Sequence, residues 1–176
     1  MIIQLEPNQL VIEYKAHGYW CQLPYPGHPK GCPNFNKKEG CPPNVELFLE
    51  TYQPPYYLIT EIFDIESHIK KMKTRHPEWS ERQCRNLLYW QKSVNKKLKD
   101  KSKRYLSSLD DDSMELIEIP EATGINIFQT CNNVGITIEK NPRKQVIKIM
   151  LIAKKKEIKK ALIMTVPLFC MIWFIL

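Results

Sequence analysis

Three cysteines, Cys21, Cys32 and Cys41, sit in or beside a run of tight-turn residues, WCQLPYPGHPKGCPNFNKKEGCPP, from Trp20 to Pro43. Thiolates are the ligands that zinc and iron–sulfur clusters share, and a structural zinc site takes four tetrahedral N or S donors. The spacing is Cys21-x10-Cys32-x8-Cys41, with no Cys-x-x-Cys knuckle. What favours a site is the surrounding composition. The stretch holds six of the thirteen prolines and three of the six glycines. Proline lacks an N–H and fixes φ, so this segment is neither a helix nor a central strand. It is also poor in branched apolar residues, so something other than packing must hold its shape. Turns of this kind bend thiols inward, and their backbone N–H groups stabilise thiolate or cluster sulfur.

Three thiolates leave one position to fill. His28 lies between Cys21 and Cys32, His17 lies just before them, and Cys131 is the distant candidate in FQTC. A solvent-facing loop histidine is the competing reading of His28, and core packing that of Cys131. Cys84 falls on the apolar face of a helix and reads as a buried thiol. Cys170 lies in an apolar tail and takes no role. Without a fourth protein ligand, the open position would admit a substrate, as in catalytic metal sites. An iron–sulfur cluster is preferred to zinc, because zinc knuckles are missing and Cys-Pro is common at cluster ligands. Tyr19, Trp20 and Tyr25 either cover this loop or stack a flat ligand or nucleobase.

The elements that must carry this loop follow from periodicity. Gln9 to Tyr14 alternates and predicts a short strand; Val45 to Leu49 predicts a helical turn. YYLITEIF, Tyr56 to Phe63, is a near-continuous run of β-formers after Pro54-Pro55 and predicts a central strand covered on both faces. Asp64 is an N-cap for a helix over Ile65–Arg75, closed by His76-Pro77. Ser80 with Gln83 forms a capping box for a longer helix running to about Leu106. MELIEI, Met114 to Ile119, alternates as a strand. Thr123 to Val134 predicts a short helix closed by Gly135, with Glu121 and Asn126 as its start and cap, or as polar groups near the site. Ile136–Ile138 and Gln145–Ile152 predict two more strands joined around Asn141-Pro142. The sum is a single α/β domain (α+β is the variant), with four or five strands, two or three helices and an N-terminal Cys/Pro-rich loop region over 18–55. It spans 1–153; a basic run and an apolar tail make up 154–176.

With 176 residues the chain is long enough for a real core, so a metal need not be the sole source of stability. A net charge of +7 admits an acidic partner, whether nucleic acid, phosphate or an anionic membrane. Thirteen Lys or Arg against four Asp or Glu between Ile65 and Arg104 form either a solvated face or an electrostatic footprint. No helix-turn-helix, RNA-recognition motif or Gly-rich phosphate loop supports the footprint. MIIQLEPNQL lacks a basic region followed by an apolar run, so a cytoplasmic location with reduced thiols is expected, and a disulfide framework is not. Lys154–Lys160 precedes sixteen uncharged residues, Ala161–Leu176, interrupted by Pro167. A spanning helix needs roughly 20 apolar residues. The tail is thus read in three ways: a membrane tail anchor, an apolar segment packed on the domain, or a tail translated out of its original frame.

CPNFNKKEGCPP, Cys32 to Pro43, resembles the CPN-aromatic-x-K-x-x-x-CPP signature of a prokaryotic family identified as predicted metal-binding proteins. PEATGINIFQT, Pro120 to Thr130, and WSERQCRNLLYWQ, Trp79 to Gln91, are similar to two further segments of that family, so the resemblance covers roughly 18–152. It implies metal binding, with Cys32 and Cys41 as ligands and no assigned reaction. Members place an earlier cysteine closer to the CPN motif than Cys21 stands here, and Asn36 occupies a place where glycine is common. The leading expectation is a metal-binding protein with a Cys-ligated iron–sulfur cluster or zinc. The rivals are a metal-dependent or redox enzyme with an open metal position, a basic nucleic-acid-binding module with structural zinc, and a membrane-tethered interaction protein.

Overall fold

The computed structural model describes residues 1–24, 27–139 and 141–157. Tyr25 and the apolar tail Ala161–Leu176 lie outside them. Four strands, β1 (Ile2–Leu5), β2 (Tyr52–Asp64), β3 (Met114–Ile117) and β4 (Gln145–Lys155), form one antiparallel sheet in the order β1-β2-β4-β3. Among the described residues six α-helical segments accompany them. The short turns are α1 (Tyr19–Gln22), α2 (Phe48–Thr51) and α4 (Glu81–Cys84); the longer helices are α3 (Ile65–Arg75), α5 (Gln91–Ser108) and α6 (Ile127–Asn132). The fold is mixed α/β and single-domain, as the periodicity predicts.

The YYLITEIF run lies inside β2, the central strand. Because successive side chains point to opposite faces, Tyr56 and Leu58 enter one core with Phe48, Ile125, Cys131 and Leu151. Ile59 enters a second core with Leu98 of α5, Met114, Met150 and Ile152. One face of the sheet is therefore covered by α5. The other is covered by α2, α6 and the irregular N-terminal third. Asp64 caps α3 as expected, its carboxylate accepting from Ser67 N at 2.8 Å.

Three expectations change. The first strand is Ile2–Leu5, not Gln9–Tyr14; the latter makes only a single bridge, Ile12 to Ile125. Its backbone is committed elsewhere: Val11 N donates to Thr130 Oγ1 at 3.0 Å, and Glu13 N to Gly124 O at 2.7 Å. The long helix after Ser80 is broken into α4, a 3-10 turn at Leu87–Tyr89, and α5. The Ser80–Gln83 capping box forms, but Asn86 starts again, its side chain accepting from Leu88 N at 3.1 Å. Ile136–Ile138 is not a strand; Ile136 is tied back to α6 through its N–H to Cys131 O at 2.9 Å. Among the described residues no helix is long and apolar enough to cross a membrane.

Candidate metal centre

The cysteine stretch is a chain of turns locked by backbone bonds. Gly18, at φ +89°, admits the turn α1 that carries Cys21. A Cβ on Gly18 would lie 3.5 Å from the Phe35 ring and 3.5 Å from Pro42 Cβ, so the start of α1 rests on the CPNFNKKEGCPP loop. That loop closes on itself: Phe35 N donates to Cys32 O at 3.2 Å, Cys41 N to Lys38 O at 3.0 Å, and Asn36 N to Pro42 O at 2.9 Å. Asn36 holds φ at +56°, a left-handed value that asparagine tolerates better than most residues.

The contact that joins the first cysteine to the second is Cys32 N donating to Cys21 O at 2.6 Å. It depends on Gly31. That residue has φ +81°, and a Cβ there would stand 2.4 Å from Cys21 O and 2.9 Å from the Gln22 backbone. No side chain fits. Cys41 and Pro42 are buried beneath, whereas Cys21 and Cys32 are half-buried. All three are free thiols. Burial pushes the Cys21 thiol up from its ordinary value, and charge at Cys32 and then Cys41 pushes it the same way. The three sulfurs thus share one electrostatic neighbourhood, although nine residues or so of loop separate each from the next. Among the described residues, no group of three or more His, Cys, Asp or Glu side chains is arranged closely enough to hold a metal ion. The turns that carry the thiols are packed together, through Cys32 N to Cys21 O and through Gly18 against Phe35 and Pro42, without the thiols standing at ligation spacing.

The other candidates fall differently. Cys131 is fully buried on α6, in the core beside the sheet. Its thiol is pushed up to about 11, by burial first and then by the charge of Glu121. A thiol so hard to ionise, with a carboxyl group as its charged neighbour, has the environment of a packed core residue. His28 is exposed in the turn between Cys21 and Cys32, and its carbonyl accepts from Gly31 N at 3.1 Å. His17 is oriented by its Nε2–H, which donates to Val45 O at 2.6 Å and leaves Nδ1 as the acceptor nitrogen. Cys84 is buried at the end of α4. Tyr19 and Trp20 are about half exposed beside Cys21, at 57% and 45%. Asn126 caps α6, accepting from Gln129 N at 3.1 Å, and Pro120–Thr123 forms a 3-10 turn before Gly124. Both bear out the start-and-cap reading of that segment.

The sequence reading overlooked the strap that fastens this region to the domain. Asn126 N donates to Val11 O at 2.8 Å, beside the Val11–Thr130 and Glu13–Gly124 bonds. Gly124, at φ +92°, brings its backbone against Leu47 and His17; a Cβ there would lie 3.2 Å from Leu47 Cδ2. The available signal was the glycine inside a helix-like pattern. Comparison of the chain with protein-family models, with curated proteins and with solved structures finds no match in any of the three.

Proposed function

We propose that this protein binds a metal through Cys21, Cys32 and Cys41, as an iron–sulfur cluster in preference to zinc. The observation that carries the reading is the packing of the three cysteine-bearing turns against one another, with Cys32 N bonded to Cys21 O, Gly31 shaped to the Cys21 backbone and Gly18 against Phe35 and Pro42. The resemblance of the Cys32–Pro43 loop to the predicted metal-binding family points the same way. Sulfur donors of this number suit zinc or iron–sulfur and do not suit magnesium or calcium. Metal binding would have to draw the sulfurs to ligation distance, since binding and local ordering are coupled at such sites.

Cys131 in the core favours a second reading, in which the fourth position belongs to a histidine or to a ligand from outside the chain. A metal with an exchangeable position could polarise a substrate or exchange electrons. His17 Nδ1 and His28 are the protein donors nearest to Cys21 in sequence.

Anaerobic purification followed by visible absorption, iron and acid-labile sulfide analysis tests the proposal. The expected result is a brown protein that loses colour and iron in the Cys32→Ser variant and keeps both in Cys84→Ser. Stoichiometric zinc without a chromophore would replace the cluster by zinc. A Cys32→Ser protein with full metal content would remove the proposal altogether.

A further inference from the structure

The sheet has an open edge at the bottom of a groove. β3 pairs with β4 only over Leu151–Lys154. The remaining part of β4, Gln145–Met150, pairs with β2 on one side and, among the described residues, with no strand on the other. A groove of about 690 Å³ runs there. Its lining includes Ile147 and Ile149 together with Lys148 and Met150. These alternate residues point to opposite faces of the sheet, so a cavity touched by both sets must follow the strand's edge. At that edge every second residue turns its N–H and C=O outward, a ready template for one more strand. Six residues of edge span roughly 20 Å.

The two walls differ in chemistry. On the face of Ile147 and Ile149 the groove is lined by Ile127, Phe128 and Ile138, with Phe128 47% exposed. On the face of Lys148 it is lined by α5, through Lys92, Lys96 and Lys99. Lys96 pairs with Asp100, Lys99 with Glu118, and Lys148 sits in the field of the Glu121 carboxylate in the same lining; Lys92 makes no ion pair among the described residues, so lysines outnumber carboxylates along the groove. A strand laid in this groove would therefore present one face to apolar side chains and the other to a wall in which lysines outnumber carboxylates. Because a strand's side chains alternate, the groove specifies a segment that alternates apolar and acidic residues.

We propose that this groove binds an extended segment of a partner protein, alternating apolar and acidic residues, as a fifth strand on the open edge of β4. The inference is independent of the metal. It also accounts for the empty place at the edge where the sequence predicts that Ile136–Ile138 would pair. Main-chain bonds to Gln145–Met150 supply affinity, and the two walls set the register.

The test uses the full chain and the peptide acetyl-Val-Glu-Val-Glu-Val-Glu-Val-amide, followed by fluorescence anisotropy of a labelled copy and by residue-resolved amide exchange. Binding is expected to slow exchange of alternate amides within 145–150. A fully N-methylated copy should not bind. Lys92→Glu and Phe128→Ser, both at exposed positions, are expected to weaken binding by about tenfold each. Equal binding of the N-methylated copy, displacement of the peptide by oligouridylate with no effect of Phe128→Ser, or no binding at millimolar peptide would each overturn the proposal. Amides of 145–150 facing the groove that already exchange slowly without peptide would overturn it too, since the edge would then be closed by this chain itself.

Discussion

Gly31 is the residue on which the cysteine loop turns. Its φ of +81° lies where L side chains are rare, and the space a Cβ would need is filled by Cys21 O at 2.4 Å and by the Gln22 backbone at 2.9 Å. Both obstacles are backbone atoms, so no side-chain rotation relieves them. Gly31→Ala must displace α1, and with it Cys21, relative to Cys32. Gly40 is the matched control: a Cβ there meets nothing within 4 Å, and its φ is not in the left-handed range. The expected outcome is that Gly31→Ala lowers stability by about 1–3 kcal/mol in urea titration and reduces metal loading. Gly40→Ala should change neither by a measurable amount. Equal metal content in the two variants would show that the Cys21–Cys32 junction does not shape the site. At this scale the sequence was informative about residue types and silent about partners. Prolines and glycines marked the loop, yet nothing in the spacing revealed that Gly31 faces Cys21 or that Nε2 of His17 is engaged by Val45 O.

At the scale of elements, legibility followed the strength of local signals. The β2 run was readable from its β-formers and the Asp64-capped α3 from its polar cap, although β2 begins at Tyr52 and runs through Pro54-Pro55 across a register shift rather than starting after the prolines. The helix after Ser80 was over-extended because apolar spacing continues through Leu87 and Leu88, although these are exposed at 52% and 83% in the structure. The capping preference of Asn86 outweighs that pattern, and Trp90 turns inward instead, its Nε1–H donating to Arg85 O at 3.2 Å. Gln9–Tyr14 failed as a strand for the opposite reason: its pattern is right, but its backbone finds better partners in the Pro120–Thr130 segment. Asn126 belongs to both sides of that exchange. Its side chain accepts from Gln129 N, and its own N–H donates to Val11 O. Asn126→Ala keeps the second bond and removes the first. The expected loss is about 1 kcal/mol of stability, the usual cost of an N-cap, read as a lowered urea midpoint at unchanged slope. An unchanged midpoint would mean that α6 is held by its core contacts alone.

For the whole molecule, the question is what couples a turn-rich loop to a packed sheet. Two cores sandwich β2 and β4, while the segment leading into the cysteine region is fastened to the Pro120–Thr130 segment by three bonds. The strap's side-chain bond is Val11 N to Thr130 Oγ1, and Thr130 itself is fully buried. Thr130→Val keeps the shape of the side chain and deletes the acceptor. It leaves the Val11 N–H without a partner, at a cost of about 1–3 kcal/mol. The main-chain bonds at Glu13 and Asn126 lie within two and four residues of the damage and would loosen with it. The cysteine-bearing turns follow this segment in the chain, so the loss is expected to reach the thiols. In metal-free protein, alkylation of Cys21 and Cys32 should be faster in Thr130→Val than in the parent, while that of Cys84, buried at the end of α4, stays slow. Thr130→Ser restores the acceptor and should restore both stability and thiol protection in large part. If Thr130→Val lowers the urea midpoint with thiol reactivity unchanged, the loop is ordered by its own turns and the strap serves only the core. If reactivity rises in step with global unfolding, including at Cys84, the strap and the cores unfold as one unit. Only a selective rise at Cys21 and Cys32 would show that the fold positions its candidate site through these few bonds.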